Sequence, residues 1–103
     1  MNAHPSEADI IGHTVRAAER LEKIDDVEQL NILEVNYSVS PTVGVKGVEL
    51  VLTVGGPDIR VNALNGTVRG AWGGDTHTTH FESDVVEQYA RMLARQFEEA
   101  HDL

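Results

Sequence analysis

The amino-acid sequence predicts an α+β fold: an N-terminal helix, an antiparallel β-meander of four to five strands and a C-terminal helix, with both helices on one sheet face. Three observations support this prediction. Apolar residues recur at helical spacing near both ends of the chain, they alternate with polar residues between those ends, and glycine-rich turns separate the alternating segments. The 103 residues, 41% of them hydrophobic, are typical of one domain (1–103), in which residues 1–5 are expected to be disordered.

The first helix is predicted to open at Ser6, a residue type that caps helix N-termini. It is expected to end near Ile24, because Asp25 and Asp26 would be unfavourable at the negative end of a helix dipole. The apolar stripe that should face the sheet consists of Ile10, Ile11, Val15, Ala17, Ala18, Leu21 and Ile24.

The second helix is predicted to follow Ser83, its N-cap. Two opposite-charge pairs, Glu87 with Arg91 and Arg95 with Glu99, have i,i+4 spacing and are typical of a solvated helix face. The apolar stripe on the other side consists of Val86, Tyr89, Ala90, Leu93, Phe97 and Ala100.

Between the helices the apolar period changes from 3.6 to 2, which indicates strands with one buried face. The residues predicted to face inward are Leu33, Val35, Tyr37, Val39, Val48, Leu50, Leu52, Val54, Ile59, Val61, Ala63, Val68, Gly70, Trp72 and, in a fifth strand, His77, Thr79 and Phe81. The opposite face is expected to be polar and exposed, and to carry Glu34, Asn36, Ser38, Glu49, Thr53, Arg60, Asn62, Thr67, Arg69, Thr76, Thr78 and His80.

Turn signals predict the strand register. The Asn-Gly pair at positions 65 and 66 is expected to form a two-residue hairpin turn, which would pair Val61 with Gly70. The same parity pairs Tyr37 with Leu50 in the first hairpin. In this register Arg60 and Arg69 are diagonal neighbours on the polar face, roughly 7 to 8 Å apart.

Two inward positions of the fourth predicted strand carry specific expectations. Gly70 weakens a strand interior, so we expect a ring or a helix to pack closely over it. Trp72, the only tryptophan, is expected to belong to the core rather than to form a platform for a ligand.

No motif in the chain indicates catalysis or a cofactor. The glycines between positions 55 and 75 lie between strands, so they are expected to form turns and not a phosphate-binding loop. His77 and His80, with Asp75 and Glu82 nearby, are the weak candidates for a metal or acid-base site, but residues three apart on a strand point to opposite faces. We therefore predict no catalytic residue, no metal and no cofactor.

The charge limits the classes of partner. Seventeen acidic residues against eight basic ones give a net charge of -9, which disfavours direct binding to nucleic acid or to an anionic membrane. Two interpretations stay open: a well-hydrated acidic surface, or contact with a basic protein such as one that binds nucleic acid. The absence of a signal-peptide pattern and of a long apolar run predicts a cytoplasmic protein.

The strings ELVLTVGGPDIRVN and GTVRGAWGGD, from about Glu49 to Asp75, resemble small uncharacterised proteins of archaeal viruses, phages and related mobile elements. These proteins share a GGP turn followed by GxVxGxWGG. The acidic, lysine-poor composition is similar to that of proteins from halophilic archaea. The resemblance implies an accessory protein of a mobile element, and such proteins are often inhibitors of host systems, including anti-CRISPR proteins.

The sequence therefore favours a non-enzymatic module that binds a protein partner. The surface that would bind is either an acidic helix face or the polar sheet face, through Arg60, Arg69, Asn62 and Glu49. Two other classes remain as alternatives: a small metal-dependent or acid-base enzyme using the region of His77 and His80, and a structural viral protein that forms homodimers or larger assemblies through its edge strands.

Overall fold

A computed structural model describes residues 5–103 of the chain, with side chains from Ile10 onward. The predicted α+β class is confirmed, and the sheet has five strands. None of the described helices is long and apolar enough to cross a lipid bilayer. The elements are α1 (Pro5–Lys23), a 3₁₀ turn (Val27–Gln29), β1 (Glu34–Ser40), β2 (Gly44–Thr53), β3 (Asp58–Asn62), β4 (Thr67–Trp72), β5 (Asp75–His80) and α2 (Asp84–Ala100).

The ends of the helices differ in part from the prediction. Helix α1 begins at Pro5, so Ser6 lies inside the helix, and the side chain of Ser6 is outside the described residues. Residues 1–5 were expected to be disordered. Positions 1–4 lie outside the residues that the structure describes, and Pro5 belongs to α1. Ser83 is the N-cap of α2, as predicted, and its hydroxyl accepts the N–H of Val86 at 3.2 Å.

The sheet is an antiparallel meander with the strand order β1-β2-β3-β4-β5. Helix α1 lies over β4 and β5, and α2 lies over β2, so the two helices share one face. The buried cluster between the helices and this inner face contains Ile10, Ala18, Leu21, Ile24, Leu30, Val48, Leu50, Ile59, Val61, Ala63, Val68, Phe81, Val86 and Ala90. We call the opposite side of the sheet, which no described element covers, the outer face.

The predicted register of the β3–β4 hairpin is wrong by two residues. Val61 pairs with Val68 instead of Gly70, because the turn is a four-residue loop over positions 63 to 66. Asn62 starts this loop: its backbone C=O accepts the N–H of Gly66 at 2.9 Å, and its side-chain oxygen accepts the N–H of Asn65 at 3.2 Å. The loop also buries Ala63 in the core, which a two-residue turn would have kept inside a strand.

The two earlier hairpins are shifted in the same way. Between β2 and β3 the predicted parity sets Val61 opposite Leu52, but Val61 pairs with Leu50. Tyr37 pairs with Val48 instead of Leu50, and β2 carries one extra residue at Lys46 and another at Leu52, where its pairing with each neighbour is interrupted. Leu33 and Val54, which lie just outside the strands, are each 59% exposed and not buried as predicted.

Close packing over Gly70 is confirmed, and the element that packs there is α1. A Cβ atom on Gly70 would lie 2.7 Å from Cδ1 of Ile10, and closer still to Cγ2 of Thr14. Both distances are too short for a real Cβ contact, so the approach of α1 to the sheet requires glycine at this position.

The sheet-facing stripe of α1 is rotated relative to the prediction. Thr14 is fully buried and satisfies its hydroxyl by donating to the backbone C=O of Ile10 at 3.0 Å, whereas Ile11 and Val15 are 43% and 38% exposed. On α2, Ala100 is also exposed instead of buried. The apolar period thus identified both helices correctly. It also assigned to each buried stripe some residues that lie beside it and are exposed.

Trp72 packs against the buried cluster and is itself half-buried, which agrees with the predicted core role. Its ring meets the imidazole of His13 of α1 edge-to-face, with the centroids 5.9 Å apart. On its other side the backbone of Gly56 approaches the indole, since a Cβ atom there would lie 3.2 Å from Nε1. Trp72 therefore joins α1 to the β2–β3 turn.

Candidate functional site

The four residues predicted to form a binding surface all lie on the outer face, and the structure brings them together. Glu49 pairs with Asn62 across β2 and β3, and Arg60 pairs with Arg69 across β3 and β4. The two arginines are therefore direct cross-strand partners and not diagonal neighbours, because the β3–β4 register is shifted by two residues.

Arg60 is engaged by carboxylates on its own face. Its Nε and Nη2 donate to the two oxygens of Asp58 at 2.8 and 3.2 Å, and its Nη1 donates to Oε1 of Glu49 at 3.1 Å. The hydrogen bond to Asp58, followed by that to Glu49, raises the pKa of Arg60 above its ordinary value. The guanidinium therefore stays charged, but most of its donors already have partners.

A chain of polar contacts extends this arrangement to the edge of the sheet. Asn36 of β1 donates to Glu49 at 3.0 Å and to Glu34 at 2.8 Å. Val51 lies on the same face between Glu34 and Arg60 in the register, yet it is only 2% exposed. The outer face of the sheet therefore carries one buried apolar side chain, Val51, among these polar residues.

The remaining two predicted residues differ in what they offer to a partner. The Asn62 side-chain oxygen is used by the β3–β4 turn. Arg69 is exposed, and within the described part of the chain no carboxylate lies within ion-pair distance of it. Of the four predicted residues, only Arg69 presents a free charged group.

The histidines of β5 point to opposite faces, as the strand prediction required. His77 is half-buried on the inner side, under α1, whereas His80 is exposed on the outer face. Among the residues that the structure describes, no three side chains of a metal-ligating type come together. The side chains of His77 and His80 therefore do not face a common site.

Acidic residues concentrate at one end of the molecule, where α1 ends and α2 begins. The side chain of Glu22 accepts the backbone N–H of Glu82 at 2.9 Å, which joins α1 to the segment between β5 and α2. We call this region the acidic end; its acidic residues are Glu22, Asp25, Asp26, Glu28, Glu82 and Asp84. In the described chain none of these side chains forms an ion pair.

Several side-chain hydrogen bonds hold the 3₁₀ turn at the acidic end. Asp26 caps it by accepting the N–H of Glu28 at 2.9 Å, and the Gln29 side chain accepts the N–H groups of Asp25 and Asp26 at 2.8 and 3.2 Å. Arg20 of α1 donates to the backbone C=O of Gln29 at 2.9 Å. These bonds hold the turn against α1 and fix the position of its acidic residues.

A groove runs between this turn and α2, with a volume of about 460 Å³. Val85, Tyr89 and Met92 form one wall at i, i+4 and i+7 on a single flank of α2, and Val27 faces them from the turn. Met92 is 42% exposed. We call this the acidic groove, because Asp25 and Asp26 form its rim.

The acidic groove was not predicted as a site, although part of its signal is in the sequence. Tyr89 was assigned to the apolar stripe of α2, but Val85 and Met92, which extend that stripe along one flank, were not. No pattern indicated that residues 27 to 29 would form a 3₁₀ turn beside that flank.

Comparison with known proteins adds no relative: no protein-family model, no curated protein and no solved structure matches this chain.

Proposed function

We propose that the protein is a non-enzymatic binding module that docks the acidic groove on a basic, partly apolar segment of another protein. The observation that carries the proposal is the combination in one groove of apolar side chains, of which Met92 is exposed and the others are half-buried, with carboxylates that have no ion-pair partner among the described residues. Apolar contacts in a desolvated pocket supply binding energy, whereas the charged rim supplies orientation and partner choice.

The charge distribution supports a basic partner. The acidic end holds six carboxylates, in a chain whose net charge is already -9. Such a field attracts lysine and arginine side chains and repels phosphate, so the favoured ligand is a protein that itself carries a basic surface. Binding of this kind weakens as salt screens the charges.

The apolar wall supports an amphipathic helix as the bound segment. Val85, Tyr89 and Met92 repeat at helical spacing along α2, and a second helix with leucine-like residues at i, i+3, i+4 and i+7 would pack on that row. Its lysines or arginines would then lie beside Asp25 and Asp26.

A role as an inhibitor of a host defence or nucleic-acid-processing system, which the resemblance to mobile-element proteins implies, is consistent with this mode of binding. A basic protein surface that normally contacts phosphates would instead be occupied by the carboxylates of the acidic end.

A peptide-binding experiment tests the proposal. The probe is a fluorescent helical peptide of lysine and leucine, with the leucines at i, i+3, i+4 and i+7, and binding is followed by anisotropy at low and moderate salt. The variant Asp25→Lys/Met92→Lys should bind about tenfold more weakly, or worse, because it loses a rim carboxylate and an apolar contact.

The matched control is Asp102→Lys/Leu103→Lys, which makes the same charge change at the exposed C-terminus. This control should bind the peptide as the wild-type protein does. Equal weakening of both variants would mean that only the overall charge matters, and the acidic groove would then be rejected as the site.

The outer face is the second candidate surface, because Arg69 presents an unpaired guanidinium there. A tagged copy expressed in the host should retain a specific protein at moderate salt. Loss of that protein with Arg69→Glu, but not with Asp25→Lys/Met92→Lys, would assign binding to the outer face. Recovery of no partner above background would count against both surfaces.

A further inference from the structure

We propose that two copies of the chain associate through the edge of β5 and the neighbouring flank of α1, forming a symmetric dimer with a continuous ten-stranded sheet. The inference is independent of the proposed function, since β5 and the acidic groove are different surfaces. It rests on the backbone groups of Thr76, Thr78 and His80, which no described strand engages on the outer side of β5, on the exposed apolar flank of α1 beside them, and on the distance at which two α1 helices would meet.

Strand β5 has no strand neighbour on one side in the described chain. The N–H of Phe81, just after β5, donates to the C=O of Gly66 at 3.0 Å, on the β4 side. Because alternate residues of an antiparallel strand direct their N–H and C=O groups to opposite sides, Thr76, Thr78 and His80 direct theirs to the free edge.

The β5 edge lacks several of the features that prevent strand pairing. It has no lysine, no proline and no irregularity in its register with β4, and three of its six residues are threonine, which favours strands. The other edge, β1, has an interrupted register near Val39 and is followed by Pro41. Of the two edges, β5 is therefore the one better suited to accept another strand.

The exposed apolar flank of α1 lies beside this edge and consists of Ile11 and Val15. Ile11, Val15 and Glu22 lie on one line along α1, at i, i+4 and i+11, and Glu22 meets the backbone N–H of Glu82 directly after β5. Ile11 and Val15 therefore lie on the β5 side of α1, where they are 43% and 38% exposed. The opposite flank of α1 carries His13, which contacts Trp72.

The spacing of the helices favours a second copy as the occupant. Helix α1 packs on β4 and β5, so its axis lies above this pair of strands. With strands about 4.8 Å apart, pairing β5 with the β5 of a second copy puts the two α1 axes about 10 Å apart. This agrees with the distance of about 8 to 10 Å at which helices pack.

The pairing is also compatible in register and charge. A two-fold axis at Thr78 sets Thr78 opposite the partner's Thr78, and Thr76 opposite the partner's His80. The backbone groups that point to the edge then meet each other. No two acidic residues face each other along β5 in this register. Thr14 lies over Gly70, whose β5 partner is His77, so Val15 lies near the middle of β5, close to this axis. The apolar flanks of the two α1 helices would then pack against each other.

Sedimentation equilibrium tests the dimer, from micromolar to about millimolar protein and at about 0.1 M and 2 M KCl, because screening of the charge of -9 should strengthen self-association. Two variants should weaken the dimer about tenfold or more. Val15→Glu places like charges at the axis, and Thr78→Pro removes an edge N–H that β4 does not use. Far-ultraviolet circular dichroism checks the folding of each variant, and Val15→Glu carries the test if Thr78→Pro does not fold.

Two matched controls should leave the dimer unchanged. Val39→Glu makes the same substitution at a 41% exposed valine near the other sheet edge, and Thr78→Val removes the same hydroxyl but keeps the N–H. A monomer under every condition would overturn the proposal. A dimer that Val39→Glu weakens and Val15→Glu does not would overturn it equally, by assigning the contact to β1.

Discussion

Thr14 of α1 packs directly on Gly70 of β4, with no room for a Cβ atom between the helix and the strand. This contact sets the height of α1 above the sheet. It also orients the helix about its axis: with Thr14 against the sheet, His13 faces Trp72 and Val15 remains on the exposed flank.

Gly70→Ala is expected to destabilise the protein, because the added methyl group overlaps Thr14 and Ile10 in the core. Overpacking of this kind lowers the free energy of unfolding by about 1 to 3 kcal/mol. The lower conformational entropy of the unfolded alanine variant offsets up to about 1 kcal/mol of this loss. The control is Gly12→Ala on helix α1, where the methyl group meets only the end of the Arg16 side chain. It should stabilise by roughly 1 kcal/mol, and urea denaturation giving both changes the same sign would contradict the packing described above.

Glu98→Ala is expected to destabilise the protein by about 1 to 3 kcal/mol, because Oε2 of Glu98 accepts the backbone N–H of Val45 at 2.9 Å and that part-buried donor would lose its partner. Glu99→Ala removes the same charge from an exposed neighbour and should change stability by less than about 0.5 kcal/mol. Thermal or urea unfolding of the two variants gives the comparison. Equal stabilities would show that the contact between α2 and β2 contributes nothing.

Ser83→Ala is expected to cost about 1 kcal/mol, since the N–H of Val86 at the start of α2 would lose the hydroxyl that it donates to. Ser83→Asp supplies another side-chain oxygen at the same place and should retain most of the stability. Chemical denaturation distinguishes the two substitutions, and a variant Ser83→Ala as stable as the wild-type protein would contradict the assigned cap.

The melting temperature is expected to rise when KCl is increased from about 0.1 M to about 1 M, because the Debye length shortens from about 10 Å to about 3 Å and screens the repulsion among carboxylates. Asp25→Lys removes one of the acidic residues that cluster with Glu22 and Glu28, so its melting temperature should respond less to salt. Circular dichroism melts measure both responses. A salt response that is unchanged in this variant would argue against a concentrated field at the acidic end.

Alternation of side chains along the strands could be predicted even though the pairing could not. In all three hairpins, the pairs that lie away from the extra residues of β2 are shifted by two residues from the predicted register, for example Val61 with Val68 instead of Gly70. A shift of two residues preserves the face of every side chain, because the side-chain period of a strand is also two. Arg60 and Arg69 were therefore placed on the correct face with the wrong spacing between them.

The amino-acid sequence by itself determined the class of fold, the order of the elements and the inner and outer sides of the strands, because these depend on local periodicity and turn residues. The tertiary structure decided the rest: that Asn62 begins the β3–β4 turn, that Thr14 rather than Val15 faces the sheet, and that the flank of α2 lies beside the 3₁₀ turn. The last two of these depend on contacts between segments distant in the chain, where closing the core outweighs a local preference. The acidic groove belongs to this second group, since its two walls come from residues almost sixty positions apart.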